Sequence, residues 1–106
     1  MNLRPVVVGD LQKQPVFRSE KWLQAVRELE DCVRCGRHGV QAAHRNEGKG
    51  KGVKVSDCCS AALCVPCHSE IDQGTSMSRD ERRSEMDRAI VLTVEKLAKA
   101  GRLVVR

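Results

Sequence analysis

Apolar residues recur along this chain at two helical spacings, with short mixed pieces between them. Trp22, Val26 and Leu29 fall at i, i+4 and i+7, the repeat of one helix face. Ser19 stands just before them as a hydroxyl able to accept from free backbone N–H groups, and Glu20 suits the positive end of the helix dipole. The pattern predicts a helix over 19–30 with Trp22 anchored in the core. A second helix is predicted over 78–101. Ser78-Arg79-Asp80-Glu81 fits a capping box, Met86, Ile90, Val94 and Leu97 mark one face, and Gly101 ends it. The pieces between read as a strand over 40–43, a strand over 61–63, and a short helix over 65–73. Pro66 is tolerated in that helix's first turn, and Gly74 closes it. Residues 1–18 hold two prolines and little periodicity, which predicts an extended arm with a short strand at 6–8.

Composition tightens this outline. The chain has 106 residues, one domain's worth, with 41% hydrophobic, 31% charged and only 2% aromatic residues. An interior so poor in aromatics needs another source of cohesion, and six cysteines are the candidates. No apolar run is long enough to span a membrane. The N-terminal segment carries a three-valine run and no cleavage-like site, so a cytoplasmic protein with reduced thiols is expected. Clustered cysteines in that setting point to metal before disulfides.

Cys32-Val33-Arg34-Cys35 and Cys64-Val65-Pro66-Cys67 are two C-x-x-C pairs with 28 residues between them. Two intervening residues let the chain curl so that both sulfurs converge at ~2.3 Å on one ion, and two pairs complete a tetrahedron. The expectation is a structural Zn²⁺ held by Cys32, Cys35, Cys64 and Cys67. A redox C-x-x-C is disfavoured because no βαβ pattern surrounds either pair. Cys58 and Cys59 are read as small buried hydrophobes, with one of them a possible replacement for Cys64 in the ligand set.

Charge adds a partner class. Nineteen basic against fourteen acidic residues give a net +5, and the Gly/Lys-rich stretch 45–54 carries Arg45, Lys49, Lys51 and Lys54 against one acid. A mildly basic surface serves solubility, but a glycine-spaced basic loop beside a metal motif fits a polyanion. With one Trp and no Tyr, contact through phosphates is expected rather than base stacking.

Two histidines sit suggestively. His68 follows Cys67, and Asp72 lies four residues on, so both share one helix face and could hold a cation, while Glu70 points elsewhere. His44 ends the first predicted strand. A strand-end imidazole beside a helix-borne metal suits phosphodiester hydrolysis, in which one group takes a proton from water and an ion steadies charge on phosphate. Taken singly, each residue has another role open to it. His68 fits a neighbour of the zinc or a zinc ligand, Asp72 a solvated helix residue, and His44 a surface histidine like His38.

The order CVRCG…VQAAH…ALCVPCH resembles the zinc-braced subgroup of the HNH (His-Me finger) nucleases. More narrowly, AAHRNEGKGKGVKVSD…AALCVPCHSEID is similar to small phage and prophage HNH-like proteins of the YbcO and Ref-type groups. The resemblance covers about Cys32 to Asp72. It implies an α+β domain with a zinc-braced ββα core over 31–74, flanked by the N-terminal helix and the long C-terminal one. It also implies a metal-dependent DNA endonuclease. His44 would be the general base, Asp57, roughly at the place of the pattern's middle Asn or Asp, a residue orienting that base or shaping the loop, and His68 with Asp72 the seat of a catalytic Mg²⁺ or Mn²⁺. Ala43 stands where many members carry an Asp or His ligand, so phosphate and water would complete the coordination, and Asn46 lies on the wrong side of the loop for the usual middle Asn. The alternatives are a non-catalytic zinc-containing DNA-binding or recombination accessory protein, with a recombination protein as possible partner, and an interaction module built on the C-terminal helix.

Overall fold

The computed structural model describes residues 16–45 and 55–105. Their elements run α1 (Glu20–Arg27), β1 (Gln41–His44), β2 (Ser60–Leu63), α2 (Val65–Gln73) and α3 (Arg79–Lys99). The result is a small α+β fold of three helices and one two-stranded antiparallel sheet. The strand expected at 6–8 and most of the Gly/Lys loop lie outside the described residues.

The helix starts follow from their caps. Ser19 accepts from the Trp22 backbone N–H, and Ser78 and Glu81 bond reciprocally to each other's backbone in a full capping box. α1 stops at Arg27, short of the expected 30, because the chain turns at Leu29 and enters the left-handed region at Glu30 (φ 70°) on its way to the first cysteine pair. Gly74 caps α2 with an extended backbone rather than a left-handed one, and a Cβ there would strike the Glu70 carbonyl.

β1 and β2 pair in the register Gln41–Leu63, Ala42–Ala62, Ala43–Ala61 and His44–Ser60. A lone two-stranded ribbon is marginal in water, so both its faces are covered. Ala43, Ala61 and Leu63 pack with Cys32, Cys64, Cys67, Ile71, Met86 and Ala89. On the other face Ala62 packs with Ala25, Val26 and Leu97, bordered by Trp22, Leu29 and Ala42. Coverage on both sides explains why β2 is buried at every position instead of alternating. Its outer edge is closed as well. Ala62 donates its N–H to Thr93 Oγ1 (3.0 Å) and accepts at its carbonyl from Val33 N–H (3.0 Å).

Two expectations about packing are corrected. The buried stripe of α3 is Met86, Ala89, Thr93 and Leu97, while Ile90 is partly buried and Val94 exposed. Trp22 is a half-buried border residue in an edge-to-face contact with Phe17 (centroids 6.1 Å, 84°), and the core positions of α1 are Ala25 and Val26.

Candidate functional site

The four paired cysteines meet. One ligand atom from each of Cys32, Cys35, Cys64 and Cys67 lies within 4.8 Å of the others, and Cys35 Sγ is 3.5 Å from Cys64 Sγ. Sulfurs at ~2.3 Å from a tetrahedral ion are about 3.8 Å apart, so the cluster has the size of a four-thiolate zinc site. Both halves are shaped by local backbone. In the first, Gly36 N–H bonds the Cys32 carbonyl (2.8 Å) and Cys32 N–H bonds the Arg37 carbonyl (2.9 Å). This tight reversal needs φ +80° at residue 36, which glycine adopts freely. In the second, Cys64 is the N-cap of α2 and Cys67 sits in its first turn. All six cysteines are free thiols. Cys58 and Cys59 are half-buried rather than buried and stand outside the cluster, so neither replaces Cys64 in the set.

The thiols are electrostatically uneven. Burial pushes Cys67 up to about 12, with the Arg34 guanidinium opposing it, and burial raises Cys64 as well. At Cys32 burial is overcome by backbone N–H donors, led by that of Cys64, which bring the thiol down to about 6. A divalent ion would neutralise the crowding by binding all four as thiolates. Arg34, between the first two cysteines, grips Glu70 on α2 through both nitrogens (3.1 and 3.2 Å) and faces Glu85 on α3 at 3.6 Å. It ties the cysteine turn to both helices. Its position inside a C-x-x-C gives no hint of this, because a guanidinium at a variable position reads as surface charge.

His44 ends β1 with its side chain one-quarter exposed, and its Nε2 lies 2.9 Å from Asp57 Oδ1. Asp57 is buried and also accepts from Ser19 N–H (2.8 Å) and Arg18 Nη1 (3.1 Å). The His44 hydrogen bond is the chief reason its carboxyl lies below the usual value, with the Ser19 N–H and then Arg18 adding to it against burial. A carboxylate accepting at Nε2 places a hydrogen there and leaves Nδ1 as the basic nitrogen.

On α2, His68 Nε2 stands 3.0 Å from Asp72 Oδ2, each side chain about 30% exposed. Cis ligands of an octahedral ion at ~2.0–2.1 Å are about 3.0 Å apart, so this nitrogen–oxygen pair fits two neighbouring positions around a small hard cation. Gln41 Oε1 lies 2.8 Å from His68 Nδ1. Alternate strand residues face opposite ways, so Gln41 and Ala43 point toward the α2 side of the ribbon and His44 points the other way. The two histidines thus belong to separate pairs. Ala43 is buried and offers no ligand. Arg45 pairs with Asp87 on α3 at 3.1 Å, and His38 with Asp31 at 3.2 Å. Lys49, Lys51, Lys54 and Asn46 lie outside the described residues.

Fold and site together define a small α+β protein whose four clustered cysteines can hold a metal ion. No family model, curated protein or solved structure matches the chain. Among the described residues no helix is long and apolar enough to cross a membrane.

Proposed function

We propose that this protein is a zinc-braced, metal-dependent DNA endonuclease of the HNH type. What supports the reading is an oriented imidazole at the end of β1 combined with a nitrogen–oxygen donor pair on α2, in the chain order strand, strand, helix. His44, its hydrogen bond to Asp57 fixing the tautomer, takes a proton from water at Nδ1. His68 and Asp72 would hold Mg²⁺ or Mn²⁺, which supplies charge stabilisation at the phosphate. The reading requires one phosphodiester to reach both pairs, His44 with Asp57 at the end of β1 and His68 with Asp72 beside Gln41 at its start. The basic residues Arg45, Lys49, Lys51 and Lys54 would meet neighbouring phosphates.

Plasmid nicking with Mg²⁺ or Mn²⁺ tests it. Wild-type protein is expected to nick supercoiled DNA, and His44→Ala to lose about 10²-fold or more of that rate. A specific observation favours a second reading. Ala43 is buried and ligand-free, which fits a non-catalytic zinc-containing DNA-binding or recombination accessory. If wild type and His44→Ala are both inert yet bind DNA with steep salt dependence, the accessory reading stands and the endonuclease reading falls.

A further inference from the structure

The imidazole of His68 is engaged at both nitrogens, by Gln41 Oε1 at Nδ1 (2.8 Å) and by Asp72 Oδ2 at Nε2 (3.0 Å). An amide oxygen only accepts, so the Nδ1 side carries the hydrogen. In the neutral ring this leaves the Nε2 lone pair facing a carboxylate oxygen. A proton on Nε2 makes this contact an ion pair, and a small hard cation in the proton's place would take both atoms as neighbouring ligands at this separation. Gln41 comes from a different element. It opens β1 opposite Leu63, one residue before the cysteine that caps α2, so the strand pairing itself delivers its side chain to the first turns of that helix.

We propose that Gln41 is a positioning residue: it locks His68 in the Nδ1–H tautomer and so aims Nε2, together with Asp72 Oδ2, at a divalent cation such as Mg²⁺ or Mn²⁺. The inference rests on the cation seat of the preceding reading and adds the group that orients it. A fixed acceptor on the far ring nitrogen of a ligating histidine sets the ring's orientation and strengthens its lone pair. Gln41 is exposed, so replacing it opens no cavity.

The test uses the full chain with its zinc retained, at a pH well above the ordinary histidine range. Long-range ¹⁵N–¹H spectra of His68 report the tautomer, and calorimetric titration with Mn²⁺ reports affinity. Wild type is expected to show Nδ1–H at His68 and Mn²⁺ broadening localised to that ring. Gln41→Ala is expected to shift the ring toward Nε2–H and weaken Mn²⁺ binding about 10-fold or more, with zinc content and thermal midpoint unchanged. Gln41→Glu, which keeps an acceptor, is expected to restore both. Wild-type binding that Gln41→Ala leaves intact overturns this inference and spares the cation seat. A wild-type His68 that Mn²⁺ does not broaden overturns the seat and the inference together.

Discussion

Asp57 joins the candidate chemistry to the stability of the fold. One buried carboxylate accepts from the base at the end of β1, from the backbone at the start of α1, and from Arg18. Hydrogen bonds to a charged group are worth roughly 1.5–3 kcal/mol each when broken singly, and a buried acceptor replaced by a donor leaves its partners unmatched. Asp57→Asn is therefore expected to cost on the order of 2 kcal/mol, measured by urea denaturation. Its folded-state carboxyl lies below the ordinary 3.8, with His44 the chief cause. The stabilisation is thus complete above that value and is lost as pH falls below it through the folded-state value. Wild type and Asp57→Asn should differ in stability at neutral pH and converge in strong acid. A gap that persists at the acid end would show that the carboxylate's charge is not what stabilises. The sequence assigned Asp57 an orienting role only through resemblance. No local spacing links residue 57 to 44, because their hydrogen bond joins residues thirteen apart in the chain and follows no helix or strand repeat.

The elements themselves were largely readable, for reasons that are local. Caps need a specific hydroxyl and a specific acid three residues apart, so Ser19, Ser78 and Glu81 fixed two helix starts, and Pro66 with Gly74 bracketed α2. What periodicity misjudged was which side of α3 is buried. A search for large apolar residues selects Ile90 and Val94, but the sheet it packs on is lined by alanines, and close approach favours small residues and a hydroxyl. Thr93 is fully buried because it serves the edge of β2: its Oγ1 accepts from Ala62 N–H and donates to the Ala89 carbonyl (2.7 Å). Thr93→Val keeps the shape and strands a buried N–H. It is expected to destabilise by about 1–3 kcal/mol in urea melts. Val94→Thr, the same exchange reversed on the exposed neighbour, should stay within about 0.5 kcal/mol. Equal effects at the two sites would mean that α3 does not sit on β2 through Thr93.

Across the molecule, the brace follows from spacing, whereas the residues supporting each site do not. The C-x-x-C pairs specify their own geometry, so their convergence in space was legible. Arg34 and Gln41 matter through contacts between distant segments, which spacing does not encode. Three of the four thiols, those of Cys32, Cys64 and Cys67, lie within the core cluster that joins the cysteine turn, the sheet, α2 and α3, and Cys35 stands exposed beside it. Without an ion, that cluster buries crowded thiols, Cys67 among them with burial holding it near 12. A structural zinc contributes roughly 10–16 kcal/mol of apparent binding energy, comparable to the roughly 5–15 kcal/mol net stability of a whole domain. Purified protein is therefore expected to carry about one zinc per chain, and its removal by chelation to abolish the cooperative thermal transition. Cys64→Ser should reproduce the loss, since three thiolates leave the tetrahedron open. The double change Cys58→Ser and Cys59→Ser should keep the zinc, because those thiols stand apart from the cluster. Metal-free protein that melts at an unchanged temperature would separate the cysteine cluster from the stability of the fold, and the small alanine-lined core would then have to hold the chain alone.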